Sequence, residues 1–131
     1  MDELLDNLVM NLLEEIHSVL SHSDGFQTTV SGCLSKSIRV NSCNDDTDIY
    51  IRVERMKSGF NLCFSSIYLE ENNRRRGILT RLCDKLSTVD GVKRITVSGI
   101  CTPEMWIWCN SRGYTKVNQF DETSRYKEVG G

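Results

Sequence analysis

The chain lacks the features that mark several common classes of protein. No apolar run approaches the ~20 residues that a membrane-spanning helix needs. The first residues, Met1, Asp2 and Glu3, are acidic where a secretory signal peptide is basic, so we expect a cytoplasmic protein without a membrane partner. There is no repeat, linker or low-complexity segment in the 131 residues. We therefore expect a single domain over residues 1–131, with a flexible tail at about 128–131.

The sequence also lacks the spacings of a metal-binding protein. Six cysteines are present, but no two form a CxxC pair, and His17 and His22 flank the end of a predicted helix. Without a secretion signal, we expect all six cysteines to be reduced thiols. The acidic turn at 44–48 resembles part of a calcium loop but lacks its glycine and closing glutamate. These observations predict no metal site.

Net charge is another feature that the chain has little of. The formal net charge is -2. A protein that binds nucleic acid by bulk electrostatics carries an excess of basic residues instead. Four arginines, Arg74, Arg75, Arg76 and Arg81, could form a local nucleic-acid patch. No aromatic residues that could stack on bases lie among them, so we consider this the weakest of three functional hypotheses.

Hydrophobic periodicity predicts the order of the secondary-structure elements. Apolar residues at i, i+3, i+4 and i+7 predict an amphipathic helix over 3–20. A Thr102-Pro103-Glu104 helix start and a terminating Gly113 delimit a later helix. The predicted elements are the helix at 3–20, strands at 26–30, 37–40, 49–55 and 60–69, a helix ending near 87, a strand at 92–98, a helix at 103–112, and strands at 114–117 and 124–127.

This order of elements predicts the fold class. Hairpin-connected strands come first, and two strand-to-helix steps follow them. We therefore expect an α/β (α+β) domain with a mixed, largely antiparallel central sheet that is flanked by helices on both faces.

A basic, glycine-containing loop joins the predicted strand at 60–69 to the following helix. The loop reads Asn73-Arg74-Arg75-Arg76-Gly77-Ile78-Leu79-Thr80. The first amides of a helix have no partners within the helix and carry partial positive charge, so this junction is suited to binding phosphate. Gly77 would let a ligand approach the backbone, and the arginines would add charge. The alternative is a solvated turn.

Residues 60–117 resemble the GNAT superfamily of acyl-CoA N-acyltransferases. The family carries Arg/Gln-x-x-Gly-x-Gly/Ala after a strand, and Arg74-Arg75-Arg76-Gly77-Ile78 matches the first five positions. Gly113-Tyr114 stands where the family usually has Gly-Phe. The resemblance implies a GNAT-like fold, with acetyl-CoA as the cosubstrate and an amine of a protein or small molecule as the acceptor.

The same resemblance implies the position of each part of acetyl-CoA. The loop amides from about Arg75 to Thr80 would bind the pyrophosphate, with Arg74 contributing charge. The pantetheine arm would lie in a gap where the strand at 60–69 splays from the strand at 92–98. A backbone amide near Leu69 would donate a hydrogen bond to the thioester carbonyl. An amine would attack directly, without a covalent enzyme intermediate.

Two motif positions depart from the family. Leu79 stands where the family has glycine or alanine, and its side chain would crowd the pyrophosphate unless it turns into the core. Cys109 stands where the family often has a tyrosine that protonates the coenzyme A sulfur. A thiol with a pKa near ~8.5 could serve as this acid, or Cys109 could simply fill an apolar site. Tyr114 and Tyr68 are substitute candidates.

The candidates for a general base are Glu70 and Glu71, at the end of the predicted central strand, and more distantly Glu54. Charged residues in an exposed loop are the alternative interpretation of the first two. Two main functional hypotheses follow. The first is an N-acetyltransferase that uses acetyl-CoA. The second is a catalytically inactive protein of the same fold that binds a protein partner as an inhibitor or regulator.

Overall fold

The computed structural model describes residues 3–20, 25–32, 35–70, 77–100, 102–120 and 122–130. These residues form three α-helices and seven strands. Along the chain the elements are α1 (Glu3–Leu20), β1 (Phe26–Ser31), β2 (Lys36–Ser42), β3 (Asp48–Arg55), β4 (Phe60–Tyr68), α2 (Ile78–Leu86), β5 (Val92–Val97), α3 (Pro103–Ser111), β6 (Thr115–Lys116) and β7 (Arg125–Glu128).

All seven strands belong to one mixed sheet. Their order across the sheet is β1-β2-β3-β4-β5-β7-β6. Only β4 and β5 pair in parallel, while every other pair of neighbours is antiparallel. The sequence predictions of a mixed, largely antiparallel sheet and of the order of its elements are therefore confirmed.

The register of the strands gives the sheet one apolar face. Pairs of fully buried residues face each other across neighbouring strands, as with Ile38 and Ile51 or Leu62 and Ile95. Because alternate residues point to opposite sides of a strand, these pairs all lie on one face. The other face carries polar side chains, including Asn61, which donates to Glu54 at 2.9 Å and accepts from Thr96 at 2.9 Å.

All three described helices lie on the apolar face. Helix α1 contributes Leu12 and Ile16 to the core cluster, and α2 contributes Ile78 and Leu82. Helix α3 reaches the same face, because Cys109 belongs to this cluster. This arrangement differs from the expectation of helices on both faces.

The handedness of the connections gives the physical reason for this difference. The chain passes from β4 through α2 to β5, and then from β5 through α3 to the parallel strand β6. Both steps move in the same direction across the sheet. Right-handed crossovers in the same direction place their helices on the same face.

Local sequence signals explain the ends of α3. The Thr102 side chain accepts a hydrogen bond from the Met105 amide at 3.3 Å, and Pro103 occupies the first helical turn. Gly113 follows the helix with φ 82, a left-handed conformation that glycine adopts without strain. Both predicted boundary signals of this helix are confirmed.

None of the described helices is long and apolar enough to cross a membrane.

Candidate functional site

Strand β4 divides into two halves at a β-bulge. Tyr50 pairs with Ser66 and Ile51 pairs with Phe64, so Ser65 is an extra residue opposite β3. The pairing of β4 with β5 ends at Phe64, which is opposite Val97. We call Phe60–Phe64 the paired half of β4 and 65–68 the open half, since the open half has no register with β5.

A cavity of about 290 Å³ lies beside the open half of β4. Its walls come from the end of β4, the start of α2 and one side of α3. The lining residues are Ile67, Tyr68, Leu69, Gly77, Leu79, Thr80, Thr102, Glu104, Met105 and Trp108. The cavity thus lies beyond the carboxyl ends of the parallel strands β4 and β5, the usual place for a ligand in such sheets.

The N-terminus of α2 forms one wall of the cavity. Gly77 precedes the helix in the left-handed conformation, with φ 67 and ψ 33, and it provides no side-chain cap. The first intrahelical bond after it runs from the Arg81 amide to the Gly77 carbonyl at 2.9 Å. The amides of Ile78, Leu79 and Thr80 precede that bond, so an anion could accept hydrogen bonds from them. The predicted phosphate-binding residues Arg74, Arg75 and Arg76 lie outside the described residues.

Leu79 and Ile78 have different surroundings at the start of α2. Ile78 is fully buried in the core, and Leu79 is only 4% exposed while also lining the cavity. Its burial matches the interpretation in which the leucine at this motif position turns into the core. The side chain of Leu79 therefore belongs to the core and also contributes to the cavity wall.

Trp108 connects α3 to the start of α2. Its indole Nε1 donates a hydrogen bond to the Thr80 hydroxyl at 3.0 Å, and the guanidinium of Arg112 lies 5.3 Å from a centroid of its ring system. Its ring is also 5.5 Å from that of Tyr114. Of these contacts, the hydrogen bond to Thr80 joins the two helices at the cavity wall. The position of Trp108 on the cavity wall was not predicted from the sequence, although Met105 and Trp108 are three residues apart on one helix face.

Cys109 lies behind the cavity in a buried group with Cys83 and Tyr114. Its side chain is fully buried, and it does not line the cavity. Burial raises the pKa of Cys109 to about 11 and that of Cys83 to about 12. Burial also raises the pKa of Tyr114, whose hydroxyl is hydrogen-bonded to Cys83. Of the two interpretations of Cys109, its placement favours apolar packing.

The candidate acid–base residues have different surroundings. Tyr68 is 54% exposed and lines the cavity. The backbone amide of Glu70, two residues farther on, donates to the Thr47 hydroxyl at 3.0 Å. Glu54 lies on the polar face of the sheet, where Asn61 donates to it, and Glu71 lies outside the described residues. Among the described residues, the carboxylate that lines the cavity is that of Glu104, a residue whose sequence position indicates only a helix start.

The described residues hold no group of three or more His, Cys, Asp or Glu side chains that could bind a metal ion. The four described cysteines, Cys43, Cys63, Cys83 and Cys109, are free thiols. The chemistry available at the cavity is therefore hydrogen bonding from helix amides, an apolar wall, a phenol and a carboxylate.

Comparison of the chain with models of known protein families and with curated proteins finds no match.

Proposed function

We propose that the protein is a GNAT-type N-acetyltransferase that moves an acetyl group from acetyl-CoA to an amine of a protein or small molecule. The observation that carries this proposal is that the cavity joins the open half of β4 to the N-terminus of α2, where Gly77 provides no side-chain cap. A thioester with a distant phosphate group needs both features together. It needs an extended apolar channel for its arm and a cluster of amides for its charge.

The phosphate end of acetyl-CoA would bind at the start of α2. Gly77 leaves the approach open, because a Cβ atom at this position would meet nothing within 4 Å. The amides of Ile78, Leu79 and Thr80 would donate to phosphate oxygens, with the positive end of the helix dipole behind them. The loop arginines Arg74, Arg75 and Arg76 would add charge-assisted hydrogen bonds.

The thioester end would lie along the open half of β4. Ile67, Leu69 and Met105 provide apolar surface for the pantetheine arm. The Leu69 amide would donate a hydrogen bond to the thioester oxygen, which gains negative charge as the amine attacks the carbonyl carbon. The C–N bond forms, the C–S bond breaks, and coenzyme A leaves as a thiolate. Most of the rate enhancement would come from holding the two reactants together.

Two protons must move during this reaction. The acceptor nitrogen loses one proton, and the coenzyme A thiolate gains one. Tyr68 is the candidate for protonating the sulfur, because its side chain lines the cavity while Cys109 and Tyr114 are buried behind it. Glu70 and Glu71 remain candidates for receiving the amine proton, directly or through water.

Calorimetric titration with acetyl-CoA tests the proposal. We expect the unmodified chain to bind with a micromolar dissociation constant. Gly77→Glu places a carboxylate beside the phosphate-binding amides, so we expect its affinity to fall at least tenfold. Gly113→Glu is the matched control. Gly113 also has a left-handed backbone with open space at its Cβ, but it does not line the cavity.

Absence of binding at millimolar acetyl-CoA would overturn the proposal. An equal loss of affinity in the Gly77→Glu and Gly113→Glu variants would contradict the position of the phosphate site. If the unmodified chain does not bind acetyl-CoA, the alternative hypothesis of an inactive, partner-binding protein of this fold becomes the one to test.

A further inference from the structure

The two edges of the sheet differ in how they are protected from pairing with another strand. At one edge, β6 has only two residues, Thr115 and Lys116, and Lys116 is charged. At the other edge, β1 has six residues and pairs with β2 on one side only among the described strands. In an antiparallel strand, half of the backbone N–H and C=O groups point away from the neighbour. Strand β1 therefore presents an outward row of donors and acceptors that no other described strand pairs with.

Strand β1 also lacks the residues that usually prevent pairing between edges. Its sequence, Phe-Gln-Thr-Thr-Val-Ser, contains no charged residue and no proline. Threonine, valine and phenylalanine favour extended structure. Natural proteins usually place lysine, proline or a bulge at an edge of this length. Strand β1 carries none of the three, so its outer edge is available for pairing.

The uncharged edge is compatible with a second copy of the same strand. A two-fold axis perpendicular to the sheet pairs the two copies of β1 antiparallel and keeps their helices on the same side. Near such an axis each residue lies close to its own copy, so a charged residue would meet a like charge. Because β1 carries no charge, no register of this pair brings like charges together.

Helix α1 provides an independent observation at the same edge. His17 of α1 contacts Thr28 of β1, with 3.2 Å between Nε2 and Oγ1. Met10 is seven residues before His17, so it lies on the same side of the helix, the side toward the β1 edge. Its side chain is 61% exposed, and Val30 on β1 is 39% exposed. Pairing of two β1 edges would bring these apolar side chains toward the partner copy.

We propose that the protein is a two-fold symmetric homodimer in which the β1 edges pair antiparallel and the α1 flanks bearing Met10 approach each other. The sheet would then continue through both copies. This contact requires nothing of the cavity beside β4, so it is independent of the proposed acetyltransferase activity.

Light scattering coupled to gel filtration tests this proposal. Chain concentrations of 5–200 μM bracket a dimer dissociation constant of about 10 μM. The chain has a mass of 15.0 kDa, and we expect the unmodified protein to elute with twice that mass. Thr29→Lys places lysines near each other across the two-fold axis and should give a monomer. Thr115→Lys, on the opposite edge strand, is the matched control and should remain a dimer.

Met10→Lys is a second variant that leaves the strand unchanged, and it should raise the dimer dissociation constant at least tenfold. Circular dichroism establishes that each variant is folded. A mass of 15.0 kDa for the unmodified protein at 200 μM would overturn the proposal. A dimer that survives both Thr29→Lys and Met10→Lys would also overturn it, since another surface would then form the contact.

Discussion

The two halves of β4 have different surroundings, although they belong to one continuous strand. All five residues of the paired half, Phe60–Phe64, are buried, whereas 65–68 in the open half are only partly buried or exposed. The paired half has β3 on one side and β5 on the other, while among the described strands the open half pairs with β3 alone. The extra residue Ser65 marks the change.

This difference separates packing in the core from lining of the cavity within one strand. The paired half contributes Phe60, Leu62 and Phe64 to the core. The open half loses its second neighbour, and Ile67 and Tyr68 line a cavity instead. A β-bulge next to a functional site commonly redirects a strand in this way.

Phe64→Ala should produce the largest effect, because it removes a fully buried side chain of the paired half. Truncation of a buried phenylalanine costs about 3–5 kcal/mol in the free energy of unfolding. Tyr68→Ala in the open half should change that free energy by less than about 0.5 kcal/mol, since Tyr68 is 54% exposed. Urea unfolding followed by circular dichroism measures both. Similar losses in the two variants would contradict the division of β4.

High pH should destabilise the protein through the buried thiols of Cys83 and Cys109 behind the cavity. The folded-state pKa values of Cys83 and Cys109, about 12 and about 11, lie above the ordinary 9.0. The unfolded chain therefore loses these protons first, so stability holds below pH 9 and falls as the pH rises above it. Between pH 8 and 10 we expect a loss of about 1 kcal/mol for each thiol. A Cys83→Ala variant should show a smaller loss over that range, and an unchanged pH dependence would contradict this account.

Gly77→Ala should have an intermediate effect at the start of α2. A non-glycine residue in the left-handed conformation costs about 1–2 kcal/mol. No clash adds to this cost, because a Cβ at this position has open space around it. Thermal unfolding should give Gly113→Ala a similar loss, since its φ of 82 is close to the value of 67 at Gly77. A much larger loss at Gly77 would indicate that contacts other than backbone strain set its conformation.

Loss of the hydrogen bond between Trp108 and Thr80 should cost less stability than Phe64→Ala or Gly77→Ala. Removing a single hydrogen bond costs about 1 kcal/mol, so Trp108→Phe and Thr80→Val should each lose about that much. A double-mutant cycle should show that the two losses are not additive, because both variants remove the same bond. Additive losses would show that the two side chains act independently across the cavity.

Local signals in the sequence determine α1 and α3. The apolar period of residues 3–20 matches α1 at Glu3–Leu20, and the signals at Thr102 and Gly113 delimit α3. These features depend on residues close together in the chain, so the sequence was sufficient to predict them. The sequence does not determine the role of Cys109, because its burial depends on what packs around α3. Its neighbour Cys83 is 26 residues away in sequence, and no local pattern connects the two.

The sequence by itself determined the helices, the strands and their order, because periodicity, caps and turns act over a few residues. The sequence also places a glycine at the start of α2. There the backbone has a left-handed φ of 67, which other residues avoid. Tertiary structure alone decided the bulge at Ser65, the parting of β4 from β5 and the placement of all described helices on one face. Each of these depends on contacts between distant segments, where register, handedness and close packing select one arrangement from many that are locally acceptable.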